Sequence, residues 1–227
     1  MRAMILAAGR GKRLQPLTDT LPKPLVPIAG HPLIEYTIKR LANYGIREIV
    51  INVAYMGQKI MHELGNGEKY GVQISYSIES EPLEVAGGII HALPLLGTDP
   101  FLVVNGDIWT DYPFVQLIQK AKDFKGQAHL VLVDNSPKHP HGDFGLDGDK
   151  LLSGDVKQKF TYSGIALYTA EFFAGYTPGP RVMRPLFEAA IVANTITGEY
   201  YAGEWSDIGT LPCWQKLNER LGHVTEL

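Results

Sequence analysis

Short apolar runs alternate with stretches of helical periodicity along the first half of the chain. That alternation restricts the fold more than any other feature. "AMILAA" ends at Gly9, and "REIVINV", "VQISYSI" and "FLVVN" follow it. Between these runs lie "PLIEYTIKRLANYG", "GQKIMHEL" and "GGIIHALPLL". In the first of the three, Leu33, Tyr36, Ile38 and Leu41 largely share one helical face, and Gly45 stands where a helix C-cap is favoured. Gly65 stops the second, and Pro94 is expected to end or kink the third. Strands and helices alternating at this rhythm build βαβ units with right-handed crossovers, and therefore a mostly parallel sheet. The first apolar run reads as a buried central strand, and "AHLVLV" as a further strand of the same sheet.

The second half changes texture. "DNSPKHPHGDFGLDGDKLLSGD" is polar and turn-rich, reads as a flexible loop, and contains "DGD" as a hairpin turn. After it, "KFTYSGIALY" and "EYYAGEW" read as strands, and "RPLFEAAIVA" and "LPCWQKLNERL" as helices. No internal repeat or long linker divides the chain. The expected architecture is one α/β domain over residues 1–227, a three-layer, mostly parallel mixed sheet of Rossmann-like type with a small β-rich lobe in the second half.

Composition removes several function classes. The 227 residues carry a formal charge of -3, which weighs against the broad basic face of a nucleic-acid binder. Cys213 is the one cysteine, so no internal disulfide forms, and a cytoplasmic compartment is expected. "MRAMILAAG" reaches a glycine turn too soon for a signal peptide. No apolar stretch approaches the roughly 18 residues of a membrane span. The "PKHPHGD" histidines, His139 and His141, lack a third ligand at a metal-binding spacing. Cys213, beside Trp214 and Leu217, reads as a buried inert thiol.

In open α/β sheets, ligands sit beyond the carboxyl ends of the strands. "GRGKR", within "LAAGRGKRLQPLTDTLPKPL" from Leu6 to Leu25, occupies that place after the first strand. A dinucleotide G-x-G-x-x-G fails at Leu14, and a Walker loop fails in spacing and at Arg13. What remains is a glycine turn whose backbone N–H groups can converge on an anion. Arg13 offers a forked donor set, and Lys23 a point charge in a connection stiffened by Pro22, Pro24, Pro27 and Pro32. Taken alone, "GRG" is equally compatible with a plain turn bearing solvated cations.

As a whole, the stretch resembles the signature of the sugar-phosphate nucleotidyltransferases, L-A-A-G-x-G-T-R-L-x-P-L-T-x-x-x-P-K-P-L. It departs at Lys12, where the family often has threonine. The resemblance implies a nucleotidyltransferase (GT-A-like) fold, with residues 1–133 mainly holding a nucleotide and residues 134–227 mainly holding a sugar phosphate. It places Ala8, Gly9, Gly11, Lys12, Arg13 and Lys23 at the nucleotide, and gives Arg13, Lys23 and Asp107 catalytic roles. "NGD" at Asn105–Asp107 and "WSDIGT" around Asp207 resemble the family's acidic marks, so Asp107 and Asp207 are implied to hold Mg²⁺. "EPLEVAGGI" resembles the segment that receives the base, through Glu81, Gly87 and Gly88. Those two glycines could merely let a helix start close to the sheet, but close backbone approach to the base is the favoured reading. Asn105, Gly142 and Gly164 (in "YSGI") are implied sugar-phosphate contacts, and Asp155, in "SGDVKQKF", is the nearest substitute for the family's V-E-K-P acid.

The implied reaction is attack of a sugar 1-phosphate oxygen on the α-phosphorus of a nucleoside triphosphate, with loss of pyrophosphate. Positioning and electrostatic stabilisation do most of that work. "PLVPIAGHPLIEY", "VNGD-x-WTDY" and "HLVLVDN" resemble the uridylyl branch that serves cell-wall recycling. UTP and N-acetylmuramic acid α-1-phosphate are therefore the implied substrates, with Lys138, His139 and His141 available to face the sugar's carboxylate. The alternatives are another hexose-1-phosphate guanylyl-, thymidylyl- or uridylyltransferase, or a non-catalytic nucleotide-sugar sensor. The implied partners are these small molecules, with no nucleic acid or membrane, and the chain is expected as a monomer or small homo-oligomer.

Overall fold

The computed structural model describes residues 1–222; residues 223–227, the end of the expected domain, lie outside the described part. The elements in chain order are β1 (Arg2–Leu6), β2 (Pro27–Ile28), β3 (His31–Pro32), α1 (Leu33–Asn43), β4 (Glu48–Val53), α2 (Gly57–Leu64), β5 (Gln73–Ile78) and α3 (Glu84–Leu96). They continue as β6 (Phe101–Asn105), β7 (Ile108–Thr110), α4 (Val115–Ala121), β8 (Ala128–Val133), β9 (Gly145–Asp147), β10 (Lys150–Leu152) and β11 (Thr161–Tyr168). The last are α5 (Arg184–Val192), β12 (Ile196–Tyr200), β13 (Trp205–Asp207) and α6 (Leu211–Gly222).

Nine strands form one sheet in the order β5-β4-β1-β6-β11-β8-β12-β10-β9. β5, β4, β1 and β6 are mutually parallel, and β8 and β12 run the same way. β11 is inserted antiparallel between β6 and β8, and the β9–β10 hairpin, turning at the expected "DGD", extends the far edge. The sheet is thus mixed and mostly parallel. Its central strands are apolar over most of their length because both faces are covered, with polar residues only near their ends. On one face Ala3, Ile5, Ile49, Ile51, Leu102 and Val104 meet Ile34, Ile38 and Leu41 of α1, Ile60 and Leu64 of α2, and Leu117 of α4. On the other, Met4, Val50, Phe101 and Val103 meet Ile89 and Leu96 of α3, and Leu186 and Phe187 of α5. Each of the Val, Leu, Ile, Phe and Met side chains among them contributes about 1.5–3 kcal/mol on full burial, so the three layers hold together through two cores.

Several elements depart from the sequence expectation. "EYYAGEW" is not one strand. β12 stops at Tyr200, the Tyr201 N–H turns to Leu132 O at 2.8 Å, and the Tyr201 ring packs edge-on against Tyr112 at 5.1 Å. The chain then leaves the main sheet, and β13 pairs with β7, a strand too short to show a period. Pro94, by contrast, falls as expected in the last turn of α3, which ends at Leu96. The polar stretch after β8 is pinned rather than loose. Asn135 Nδ2 donates to Lys159 O at 2.8 Å and Pro140 O at 3.2 Å, and Thr161 Oγ1 donates to Asn135 Oδ1 at 2.9 Å.

Two further ties organise the carboxyl edge. α6 docks on the β2–β3 ribbon, where Trp214 Nε1 donates to Pro27 O at 2.8 Å and the Ala29 N–H to Asn218 Oδ1 at 2.8 Å. Behind β7, Tyr112 donates to Glu199, and His129 Nε2 lies 3.2 Å from the other Glu199 oxygen. Burial pushes the Glu199 carboxyl up, but the hydrogen bonds from His129 and Tyr112 outweigh it and hold it below its ordinary value.

The start of α3 is closed from outside by the 179–181 segment. Ala86 and Gly87 N–H groups donate to Arg181 O at 3.0 and 3.2 Å, and a Cβ on Gly87 would lie 2.3 Å from Gly179 O. Gly87→Ala is therefore expected to cost roughly 1–3 kcal/mol through overpacking against backbone. Thermal melting checks this, with Gly9→Ala as the control, because nothing lies within 4 Å of a Cβ there. Equal melting temperatures for the two variants would show that the 179–181 segment yields freely.

Candidate functional site

Leu6–Leu25 forms no long helix, only single 3-10 turns at Lys12–Leu14, Leu17–Asp19 and Lys23–Leu25. Gly11 takes φ 64°, and a Cβ there would stand 2.9 Å from Lys23 Cβ and 3.0 Å from Thr18 Cγ2. Thr18 Oγ1 donates to Gly11 O at 2.9 Å and closes the turn. The glycine turn therefore lies directly on the Lys23 stem, and Lys23 is 8% exposed. Its Nζ is 2.5 Å from Asp107 Oδ2 and 4.0 Å from Asp207 Oδ1.

The two carboxylates meet through the short ribbon. β13 runs antiparallel to β7 with Asp207 opposite Ile108, and the Ile208 N–H donates to Asp107 O at 2.9 Å. Asp207 Oδ1 is buried and accepts no hydrogen bond. Burial, and then the like charge of Asp107, push the Asp207 carboxyl above its ordinary value, while Lys23, Arg13 and Lys138 pull it down. Gly209 lies against both the Asp207 carboxylate and the Arg13 guanidinium. Two carboxylates, one with an orphaned buried oxygen, fit a hard divalent cation whose other ligands come from phosphate oxygens and water. Among the described residues, no group of three or more His, Cys, Asp or Glu could hold a metal with protein ligands alone. His139 instead faces Asp143 at 3.2 Å.

A cavity of about 380 Å³ opens beside this centre. Of the residues singled out in the sequence, Ala8, Gly9, Lys23, Asn105 and Asp107 line it. Residues 82–85, within the "EPLEVAGGI" segment, also line it, as do Arg10, Asn52 and Glu79, which sequence reasoning missed. The Ala7 N–H donates to Asn52 Oδ1 at 2.8 Å, Asn52 Nδ2 to Glu79 Oε1 at 2.7 Å, and the Leu83 N–H to Glu79 Oε2 at 3.1 Å. This chain of hydrogen bonds fixes the ends of β1, β4 and β5 relative to one another. The available signal was a polar side chain at the carboxyl end of an apolar strand, where such sheets bind ligands.

The remaining candidates fall outside the cavity lining. Arg13 reaches the Asp207 side, and Lys12 is exposed. Gly164 sits in a β11 bulge at φ 79°, where a Cβ would be 2.5 Å from Asn105 Nδ2, so its missing side chain gives Asn105 its place. Glu81 is exposed in the loop before α3. Gly87 packs on the 179–181 segment, and Gly88 packs on Asn52 and Glu79, whose polar atoms a Cβ would approach to 2.9 and 2.8 Å. The close approach these two glycines permit is thus to protein. Gly142 at φ 59° shapes the pinned loop, and Asp155 is exposed in a bend after β10. Cys213 is not sealed in the core, since Lys138 Nζ lies 2.9 Å from its Sγ. Among the described residues, Arg10, Lys12 and Arg13 have no carboxylate within 4.0 Å. Uncompensated cations around a lysine and two carboxylates suit a polyanionic ligand bound with a divalent cation.

Residues 2–158 match the nucleotidyl transferase family. An N-acetylmuramate alpha-1-phosphate uridylyltransferase from Neisseria meningitidis serogroup B is 46% identical over 217 residues, covering 93% of this chain and 94% of that one. A mannose-1-phosphate guanyltransferase from Saccharomyces cerevisiae is 42% identical over 144 residues, 61% of this chain and 40% of that one. A Bacillus anthracis crystal structure described as a glucose-1-phosphate thymidylyltransferase superposes with TM-score 0.87 over 98% of this chain and 95% of that one. At 22% identity, that likeness is one of fold.

Because the folded-state Asp207 value lies above the unfolded one, its protonated form favours the fold, and that contribution is lost as pH rises through the folded value. At neutral pH the ionised carboxylate therefore costs stability. Asp207→Asn is expected to hold or raise the melting temperature at neutral pH in chelator, with the difference shrinking as pH falls into the carboxylate range. A clearly lower melting temperature for the Asn variant at neutral pH would contradict this.

Proposed function

The chain belongs to the nucleotidyl transferase family and is a sugar-1-phosphate nucleotidyltransferase, and from that premise we propose that it transfers a uridylyl group from UTP to N-acetylmuramic acid α-1-phosphate, with Mg²⁺ held by Asp107 and Asp207. The observation that carries the chemistry is Lys23 Nζ set 2.5 Å from one carboxylate and 4.0 Å from the other, beside a cavity at the carboxyl edge of the sheet. The choice of base and sugar rests on the 46% identity that runs along 94% of the Neisseria enzyme.

A phosphate oxygen of the sugar 1-phosphate attacks the α-phosphorus in line. A new phosphorus–oxygen bond forms, the bond from the α-phosphorus to the bridging oxygen breaks, and pyrophosphate leaves with those electrons. The nucleophile is already anionic, so no side chain need remove a proton. Backbone around Ala8–Gly11 cradles the triphosphate, and Arg13 and Lys23 neutralise its charge. The base enters between the Asn52–Glu79 pair and residues 82–85, and Asn105 turns toward the sugar in the space left by Gly164. Bound Mg²⁺ spreads negative charge on the phosphate oxygens. The product fits peptidoglycan recycling in the cytoplasm. No helix among the described residues is long and apolar enough to cross a membrane. A second reading, guanylyl transfer to another hexose 1-phosphate, is favoured by the 42% identity to the yeast enzyme over 61% of this chain.

Pyrophosphate release from a matrix of UTP, dTTP and GTP with N-acetylmuramic acid, N-acetylglucosamine and mannose 1-phosphates tests the proposal. The muramic compound with UTP is expected to give the highest kcat/KM; a higher value for GTP with mannose 1-phosphate selects the second reading. In the same assay Lys23→Ala is expected to lose on the order of 10²-fold in rate, the scale of one electrostatic stabiliser. A full-rate Lys23→Ala enzyme overturns the role given to the lysine.

A further inference from the structure

The loop between β8 and β9 leaves the same edge of the sheet as the Asp107–Asp207 centre and sends Lys138 across to the start of α6. Lys138 Nζ donates to Thr210 Oγ1 and lies 2.9 Å from Cys213 Sγ. Thr210 follows Asp207 by three positions, and the Lys138 charge is felt at the Asp207 carboxyl. Neither close partner of the ammonium is a carboxylate. Among the described residues no carboxylate lies within 4.0 Å of it, whereas Lys23, Lys39, Lys69, Arg184 and Arg220 all have one.

The loop that carries Lys138 is held at both ends. On one side Tyr200 OH donates to Asp134 at 2.9 Å, and Asn135 grips Pro140 O and Lys159 O. On the other, the Tyr162 N–H donates to Asp143 Oδ2 at 2.8 Å, two residues before Gly164. Gly142 stands at φ 59° with the Asn135 side chain against it, a turn that admits no Cβ without strain. Lys138 is therefore the tip of an anchored turn, and much of the ordering cost of a cationic contact is met before any ligand arrives.

From this geometry we propose that Lys138 is a specificity-determining residue that recognises an anionic substituent on the sugar. The inference rests on the reading above, in which the C1 phosphate lies at Asp107 and Asp207 and the sugar extends past Asn105 and Gly164 toward this loop. A neutral hydroxyl or acetamido group offers an ammonium no more than Thr210 and Cys213 already do. A carboxylate offers a charge-assisted hydrogen bond, roughly twice as strong as a neutral one. The substrate class selected is thus a sugar 1-phosphate bearing a carboxylate on an ether arm, and the contact discriminates by charge at a site remote from the reacting phosphorus.

The test compares Lys138→Met, which keeps an unbranched apolar stem and removes the charge, with Lys138→Arg and the native enzyme. The reading is kcat/KM with UTP for N-acetylmuramic acid 1-phosphate and, separately, N-acetylglucosamine 1-phosphate. In Lys138→Met the muramic-to-glucosamine ratio is expected to fall about tenfold, chiefly through KM for the muramic compound, the scale of one hydrogen bond to a charged group. Lys138→Arg is expected to restore most of the ratio. A loss of pure loop structure lowers both substrates together and leaves the ratio unchanged, which overturns the assignment. If the native enzyme prefers the muramic compound and Lys138→Met keeps that preference, the assignment falls while the proposed substrate stands. If the native enzyme prefers the glucosamine compound, both fall.

Discussion

The pairing of β7 with β13 sets the two carboxylates around which the other charges at the carboxyl edge of the sheet are arranged. One backbone hydrogen bond, from the Ile208 N–H to Asp107 O at 2.9 Å, and a three-residue register bring side by side two carboxylates from far apart in the chain. Like charges at close range repel, and burying either raises the cost. Lys23 offsets part of it, and Lys23 holds its place because Gly11 lets the opening turn lie on its stem. The ribbon resists opening because its neighbours hold it. Trp205 Nε1 donates to Ser163 O at 2.8 Å, Thr110 Oγ1 to Glu204 O at 2.8 Å, and Ile208 is packed with Leu217 of α6. The packing thus maintains an electrostatic imbalance, an orphaned Asp207 oxygen among unpaired cations, which in the proposed reading bound phosphates and a divalent cation would relieve.

How much of this was legible depended on whether the signal was local. Strands covered on both faces must be apolar throughout, so β1, β4 and β6 stood out as runs, and Gly45 and Gly65 marked helix ends by adopting φ 83° and 58°. The ribbon was illegible because its two strands carry no period of their own. β7 begins immediately after the Asp107 turn. β13 continues a stretch of aromatic β-formers past Tyr200, and nothing in the order of Tyr200, Tyr201 and Ala202 marks the turn. Its cause is tertiary, the Leu132 carbonyl and the Tyr112 ring waiting for Tyr201.

Glycines divide the same way. The sequence indicates where a side chain is missing but not what fills the space. Gly11 accommodates the Lys23 stem, Gly87 the Gly179 carbonyl, Gly88 the Asn52–Glu79 pair, and Gly164 the Asn105 side chain. None of these partners is a sequence neighbour. Asn52, next to last in β4, and Glu79, just after β5, interrupt or close apolar runs, so their positions were visible, while the hydrogen-bond chain from Ala7 through Asn52 and Glu79 to Leu83 needed the sheet order to appear.

The family match spans residues 2–158 and so contains Lys23 and Asp107 but neither Asp207 nor Gly164. The first half thereby presents a cation, one carboxylate and a cavity. The second half supplies the other carboxylate, the bulge that seats Asn105, and the α6 residues to which Lys138 reaches. In the proposed reading, chemistry at the phosphorus therefore draws on both halves, and the sugar meets surfaces of the second half and of the loop that leads into it. Relatives that differ in base and sugar can share such a first half, because the electrostatic demands of joining two phosphates do not change with the sugar attached to one of them. In that reading, selectivity for the sugar resides where the second half meets the shared centre, beside Asp207 and at the loop that carries Lys138.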